Sequence, residues 1–209
     1  MRQRTVGLTL IALIGLLGLS ACRGGVDSPK PGAPLTGLEP VDSIELADSI
    51  GLAFNPDDHS LLLAGPGGLS RWEGGGWARL PVPDNPGLSA VAVNPDRPTT
   101  IYASGSGLGV IRSDDGGANW KEINTGLPEL DVTALALHSF RRDTLFVWLK
   151  GLGTFRTEDG GERWEKMPDQ GPPDSDVRGL IHSDLPGSMN TGWLYAATPT
   201  GAYLSMDCF

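Results

Sequence analysis

Carboxylates are the residues of this chain best placed, by type and number, to do chemistry. Three polar segments carry them: VPDNPGLS (82–89), NTGLPELDV (124–132) and PDQGPPDSDV (168–177), with Asp84, Glu129, Asp131, Asp169, Asp174 and Asp176. Two carboxyl groups facing each other across a cleft hydrolyse a glycosidic bond, one of them acting as the acid. Spread over one surface, the same six would instead present an acidic face to a cationic or polar protein or glycan. The spacing singles out no acid–base pair, so a binding face and a hydrolase both stand. Other candidates are few. His138 and His182 each follow an apolar stretch, where two earlier repeats have Asn55 and Asn94. Being one repeat apart, they read as starts of equivalent turns rather than as converging zinc ligands. Asp114 and Asp115 are adjacent, but calcium takes about six or more oxygens and no loop here supplies them. No Ser or Cys lies in a nucleophile elbow. GSGLGV (105–110) has no helix after it and so lacks the mechanism of a phosphate loop. Neither a metal nor a cofactor is expected.

The elements that must position these segments repeat. SIGLAFNPDDHSLLLAG, LSAVAVNPDRPTTIYAS, VTALALHSFRRDTLFVW and VRGLIHSDLPGSMNTGWLYAAT each run apolar stretch, polar turn, apolar stretch. A Gly-containing turn and a third short stretch follow: LSRW, VIRS, TFRT and YLSM. Alternation and β-branched content make these strands. The hydroxyl residue of the third strand falls at Ser70, Ser113, Thr157 and Ser205, at intervals of 43, 44 and 48, the last lengthened by GSMNTG (187–192). A period near 44 with four strands per unit predicts propeller blades. The expected fold is all-β and propeller-like: about four blades of four antiparallel strands, at about 44–86, 87–129, 130–174 and 175–209, the last incomplete. Strands one and three of a blade run the same way. The turns after them therefore share one face, and the acidic segments share the other.

Two third strands lead into SDDGGANW (113–120) and TEDGGERW (157–164), which fit S/T-x-D-x-G-x-x-W. Asp115 and Asp159 can accept backbone N–H groups of the turn, and Ser113 and Thr157 can tie it with their hydroxyls. Gly117 and Gly161, each preceded by another glycine, supply positive φ. Trp120 and Trp164 can bury a large ring between blades. SRWEGGGW (70–77) keeps Ser70, Gly74 and Trp77 but has Trp72 where the acid belongs; SMDCF (205–209) keeps Ser205 and Asp207. These motifs resemble the Asp-box, or bacterial neuraminidase repeat, and the resemblance covers roughly 44–209. It implies a hairpin between the third and fourth strands of a blade. It is shared by sialidases, xyloglucanases, sortilins and photosystem assembly factors, so it implies an architecture and not a chemistry. The Arg-Ile-Pro stretch of sialidases is absent, and Tyr102, Tyr195 and Tyr203 all lie within strands, so sialidase activity is disfavoured.

The N-terminus reads as an export signal: Arg2 and Arg4, then the uncharged run VGLTLIALIGLLGL (6–19). That run is shorter than the ~20 residues that span a bilayer. It ends in LSAC (19–22), which resembles the bacterial lipobox and implies a signal over 1–21 and lipid on Cys22. The stretch 22–43, with Pro29, Pro31, Pro34 and Pro40, reads as a tether lifting 44–209 off a membrane. The implied place is the bacterial cell envelope, outside the cytoplasm. Cys208, the second of two cysteines, then has no partner within the chain.

Among 209 residues, 30 are Gly and 17 Pro, which disfavours long helices. Without residues 1–21, Lys and Arg fall from 16 to 14 against 25 acids, a net charge of −11. Nucleic acid is excluded as a partner, since phosphate needs clustered cations. The fourth blade lacks an outer strand. Three completions fit the sequence: VDSIEL (41–46) supplies it, two chains join in an eight-bladed ring, or the chain is the front part of a longer protein. The reading is a lipid-anchored binding or assembly scaffold, with a glycoside hydrolase or a fragment of one as the alternative.

Overall fold

Alternating short strands and tight turns build four antiparallel sheets. The computed structural model describes residues 39–41, 51–83, 87–168, 171–173, 176–184 and 192–205, and among them every regular element is a strand. Blade one contains β2 (Gly51–Phe54), β3 (Leu61–Gly65), β4 (Gly68–Glu73) and β5 (Gly76–Arg79). Blade two contains β6 (Leu88–Val93), β7 (Ile101–Gly105), β8 (Gly109–Ser113) and β9 (Lys121–Glu122). Blade three contains β10 (Val132–Leu137), β11 (Leu145–Leu149), β12 (Gly153–Thr157) and β13 (Glu165–Lys166). Blade four contains β14 (Gly179–Ser183), β15 (Trp193–Thr198) and β16 (Gly201–Ser205), in that order across the sheet. The expected propeller architecture, with a three-stranded last blade, is the one observed.

A further strand, β1 (Glu39–Val41), runs antiparallel along the outer edge of β5, with Val41 opposite Trp77. The first residue of the segment considered for closing blade four thus lies on blade one; residues 42–46 lie outside the described residues. Pro40 is tolerated there because an edge strand leaves one row of N–H groups unpaired.

The blades pack face to face through their inner strands: β2 on β6, β6 on β10 and β10 on β14. Each junction has its own apolar core. Leu62, Leu69 and Leu80 of blade one meet Val91, Ile101 and Ile111 of blade two. Tyr102, Val110 and Ile123 meet Leu135, Leu145, Val147, Phe155 and Trp164. Ala136, Phe146 and Trp148 meet Val177, Leu194 and Ala196. The middle strands of blades two and three are therefore buried on both faces, which is why IYASG and LFVWL are almost uninterrupted apolar runs. Each large side chain so covered contributes about 1.5–3 kcal/mol. Hydroxyls also cross the junctions: Ser89 Oγ donates to the Val132 carbonyl at 2.8 Å, and Thr133 Oγ1 to that of Val177 at 2.6 Å.

Phe146 is 1 % exposed in the core between blades three and four. Phe146→Ala is expected to cost about 3–5 kcal/mol, read as a fall in the denaturant midpoint at unchanged slope.

Candidate functional site

The turns separate onto two faces, as strand direction requires. On the first face, the hairpin after the third strand leans on the turn after the first: Gly116 N–H donates to Thr99 O, and Gly160 N–H to Asp143 O, both at 2.8 Å. On the second face, Gly107 and Gly109 donate to Leu130 O, and Ser106 bridges Asp131.

The two repeated hairpins on the first face are closed by their own side chains. Ser113 Oγ donates to Asp115 Oδ1 at 2.8 Å and accepts the Gly117 N–H at 2.8 Å. Asp115 also takes the Asn119 backbone N–H at 2.8 Å and its side-chain amide at 2.7 Å. These two Asn119 bonds hold the Asp115 carboxyl down at about 2. Thr157 and Asp159 repeat the arrangement, with Gly161 N–H on Thr157 Oγ1 at 3.1 Å and Arg163 N–H on Asp159 Oδ1 at 3.1 Å. Burial pushes the Asp159 carboxyl up, but the Thr157 hydroxyl and the amides of Arg163 and Glu162 outweigh it, and it lies below the usual range. Gly117 and Gly161 have φ of 96° and 98°. A Cβ at Gly117 would meet Leu80 Cδ1 at 2.8 Å, and one at Gly161 would overlap the Ile123 side chain, so each hairpin is pressed onto the blade before it. Trp164 is buried at that contact and donates to Ile123 O at 2.6 Å; Trp120 packs half-buried at the junction before.

Blade one departs from its sequence reading. Leu61 pairs with Trp72, as Ile101 pairs with Ser113 and Leu145 with Thr157. Trp72, not Ser70, therefore occupies the hydroxyl position, and Ser70 lies two residues earlier. The equal spacing of the hydroxyls concealed a shorter turn: Gly74 and Gly75, with φ of 60° and 89°, close a two-residue hairpin with Glu73 opposite Gly76. Trp72 and Trp77 pack edge to face across it at 5.4 Å. In blade four Leu194 pairs with Ser205, which does hold the hydroxyl position; Asp207 lies outside the described residues.

A contact that sequence reasoning missed joins the hairpins to the preceding blades. Arg71 Nη2 donates to Gly116 O at 2.7 Å, and Arg112 Nη1 to Gly160 O at 3.2 Å. The recurring arginine of SRW, IRS and FRT was its only signal. Arg112 also lies over the Tyr102 ring, 5.7 Å from its centre, where burial pushes the phenol up.

The histidines also differ from expectation. Their rings stack, with centroids 3.8 Å apart. His138 Nδ1 accepts the Arg141 N–H at 3.1 Å, doing what Asn94 Oδ1 does for Arg97 at 3.2 Å. His182 is one register position earlier: it pairs with Leu194 as Leu137 pairs with Leu145, so its ring lies across the blade junction. Among the described residues no group of three or more His, Cys, Asp or Glu could hold a metal ion.

Of the acidic set, Glu129, Asp131 and Asp176 lie on the second face; Asp84, Asp169 and Asp174 lie outside the described residues, as does Cys22. Asp176 pairs with Arg178 at 3.0 Å, and the backbone of Lys150, an exposed residue, donates to that of Asp131. On this face a recess of about 420 Å³ is lined by Trp148, Gly151, Leu152, Gly153, Lys166, Gly171, Pro172 and Pro173. Among the described residues its walls are an edge of the buried indole, a proline pair, glycine backbone and one ammonium.

No protein-family model matches the chain. No curated protein matches it in sequence. Solved structures do resemble it in fold. An ancestral GH74 enzyme superposes with a TM-score of 0.58 at 17 % identity, over 78 % of this chain and 24 % of that one. A chain of a mitotic checkpoint complex superposes with a TM-score of 0.53 at 16 % identity, over 73 % and 47 %. The GH74 xyloglucanase from Xanthomonas campestris superposes with a TM-score of 0.48 at 18 % identity, over 74 % and 30 %. The chain spans about a quarter of the length of the ancestral enzyme, and the likeness is one of propeller fold.

Two outcomes test the hairpin chemistry. An unfolded Asp titrates near 3.9 and folded Asp115 at about 2, so the contribution of its hydrogen bonds is present above about pH 4 and lost as pH falls through about 2. A carboxyl-carbon NMR titration is expected to show this, with Asn119→Ala moving the midpoint upward. Gly161→Ala puts a side chain at positive φ against Ile123 and is expected to destabilise by about 2–4 kcal/mol in a denaturant titration.

Proposed function

We propose that this chain is a lipid-anchored protein of the bacterial envelope, whose Asp-box propeller is a non-catalytic binding or assembly scaffold. Lipid on Cys22 would hold it at the membrane, and the second face would take a polar glycan or protein. The observation that carries this reading is the recess of about 420 Å³ on the second face, where glycine backbone, prolines and the exposed Lys166 ammonium suit holding a polar ligand. The first face supports it from the other side, since Asp115 and Asp159 are engaged by their own turns.

A second reading, a glycoside hydrolase or a part of one, draws on the propeller fold shared with the ancestral GH74 enzyme. One assay separates the two. The full chain in detergent is titrated with soluble polysaccharides, tryptophan fluorescence reports binding, and released reducing ends are measured in the same samples. The scaffold reading expects binding without release, weakened about tenfold by Lys166→Ala. Release of reducing ends that is lost on Glu129→Gln, Asp131→Asn or Asp176→Asn would make it a hydrolase.

A further inference from the structure

Each junction is built the same way. A forward face of one blade, made by alternate residues of its strands, meets the rear face of the next. Register aligns the positions: Val93 pairs with Ile101, Leu137 with Leu145, His182 with Leu194 and Phe54 with Leu61. The rear-face residues Val91, Val93 and Leu135 are 7, 9 and 5 % exposed against the blade before. Their counterparts in blade one, Leu52 and Phe54, are 63 and 52 % exposed, with Trp72 at 39 % beside them. The other end mirrors this. Ala136, opposite Phe146, is 4 % exposed on the forward face of blade three. Ile181, opposite Tyr195 in blade four, is 64 % exposed, and Leu204 is 49 % exposed. Among the described residues, one apolar rear face and one apolar forward face are thus left exposed.

The residue types say which blade belongs there. Leu204 stands at the position of Arg71 and Arg112, by its register opposite Tyr195. Those arginines reach the carbonyl of the next blade's glycine hairpin. In place of that hairpin, blade one has the two-residue Gly74–Gly75 turn, with Trp72 at the hydroxyl position. An arginine facing blade one would lack its carbonyl, whereas a leucine facing it meets an indole. Alanine at the other forward positions (53, 92 and 136) likewise becomes the larger Ile181. The forward face of blade four is therefore shaped for the rear face of blade one.

We propose that two copies of this chain join head to tail, blade four of each on blade one of the other, in a closed ring of eight blades. Eight is within the usual propeller range, and a heterologous contact that closes gives a finite twofold assembly rather than a fibre. By analogy with His182 over Phe146, 5.7 Å between centroids, Phe54 of one copy would lie over Tyr195 of the other, beside Ile181.

The test uses the full chain in a non-ionic detergent, its protein mass taken by light scattering. The expected mass is twice 22.0 kDa. Phe54→Lys and Ile181→Glu each place an unpaired charge in the junction and are expected to raise the dimer dissociation constant by about tenfold or more. Both positions are exposed in the single chain, so circular dichroism should be unchanged. Combining the two substitutions in one chain pairs the charges across both junctions and is expected to restore the dimer. A monomer at every concentration, a dimer indifferent to both single changes, or open-ended oligomers would overturn the proposal.

Discussion

A sheet with two apolar faces cannot be stable by itself, and that constraint governs this molecule. Every inner and middle strand of blades two and three is apolar on both sides, so each blade depends on a neighbour before and after it. The stabilising unit is the junction rather than the blade. Three junctions are made within the chain; each adds apolar area, and the second and third also carry a hydroxyl-to-carbonyl bond at the same repeat position, from Ser89 and Thr133. Stability in such an array is close to a sum over neighbours, so what lies against the first and last blades matters as much as what lies inside them.

The glycine hairpin is the second half of the same device. Its hydroxyl and carboxylate fold the turn so that one glycine carbonyl points outward and one glycine α-carbon lies flat on the preceding blade. The arginine of that blade takes the carbonyl. Arginine suits this because its fork can reach across the junction while a second nitrogen pairs with an acid, as Arg112 does with Asp114 at 2.7 Å. Blade one lacks this hairpin, and Leu204, which would face it in the proposed ring, stands where the other blades have arginine.

The repeat was legible because it is local. Strand alternation, the Gly-rich turns and the period near 44 are written in consecutive residues, and they placed the blades and the two full hairpins at 113–120 and 157–164. What depended on register between blades was not legible. Ser70 matched the hydroxyl spacing, yet the shorter turn of blade one moved Trp72 into that place. His182 stood 44 residues after His138, yet pairing with Leu194 put it one position earlier, on the junction rather than in the turn. Counting residues assumes turns of equal length, and a single shortened turn shifts a side chain to another role. The strand at Glu39–Val41 was hidden for a related reason: its proline-rich surroundings read as a tether, and only pairing with β5 makes it a strand.

The two faces of the propeller bear unequal structural burdens. On the first, the carboxylates of both hairpins, the Asn94 and His138 side chains and the neighbouring backbone amides hold one another, so a substitution there disturbs the turn and the junction behind it. On the second, Glu129, Lys150 and Lys166 are exposed, and Gly151, Pro172 and Pro173 help shape a recess. Residues there can change at little cost to the fold, as loop residues on a rigid frame generally can. The second face is tied in part by backbone hydrogen bonds, Gly107 and Gly109 on Leu130 O and Lys150 on Asp131 O, which do not depend on which side chains its loops carry. Under the proposed function, this is the face where loop substitutions would change what is bound without unfolding a blade.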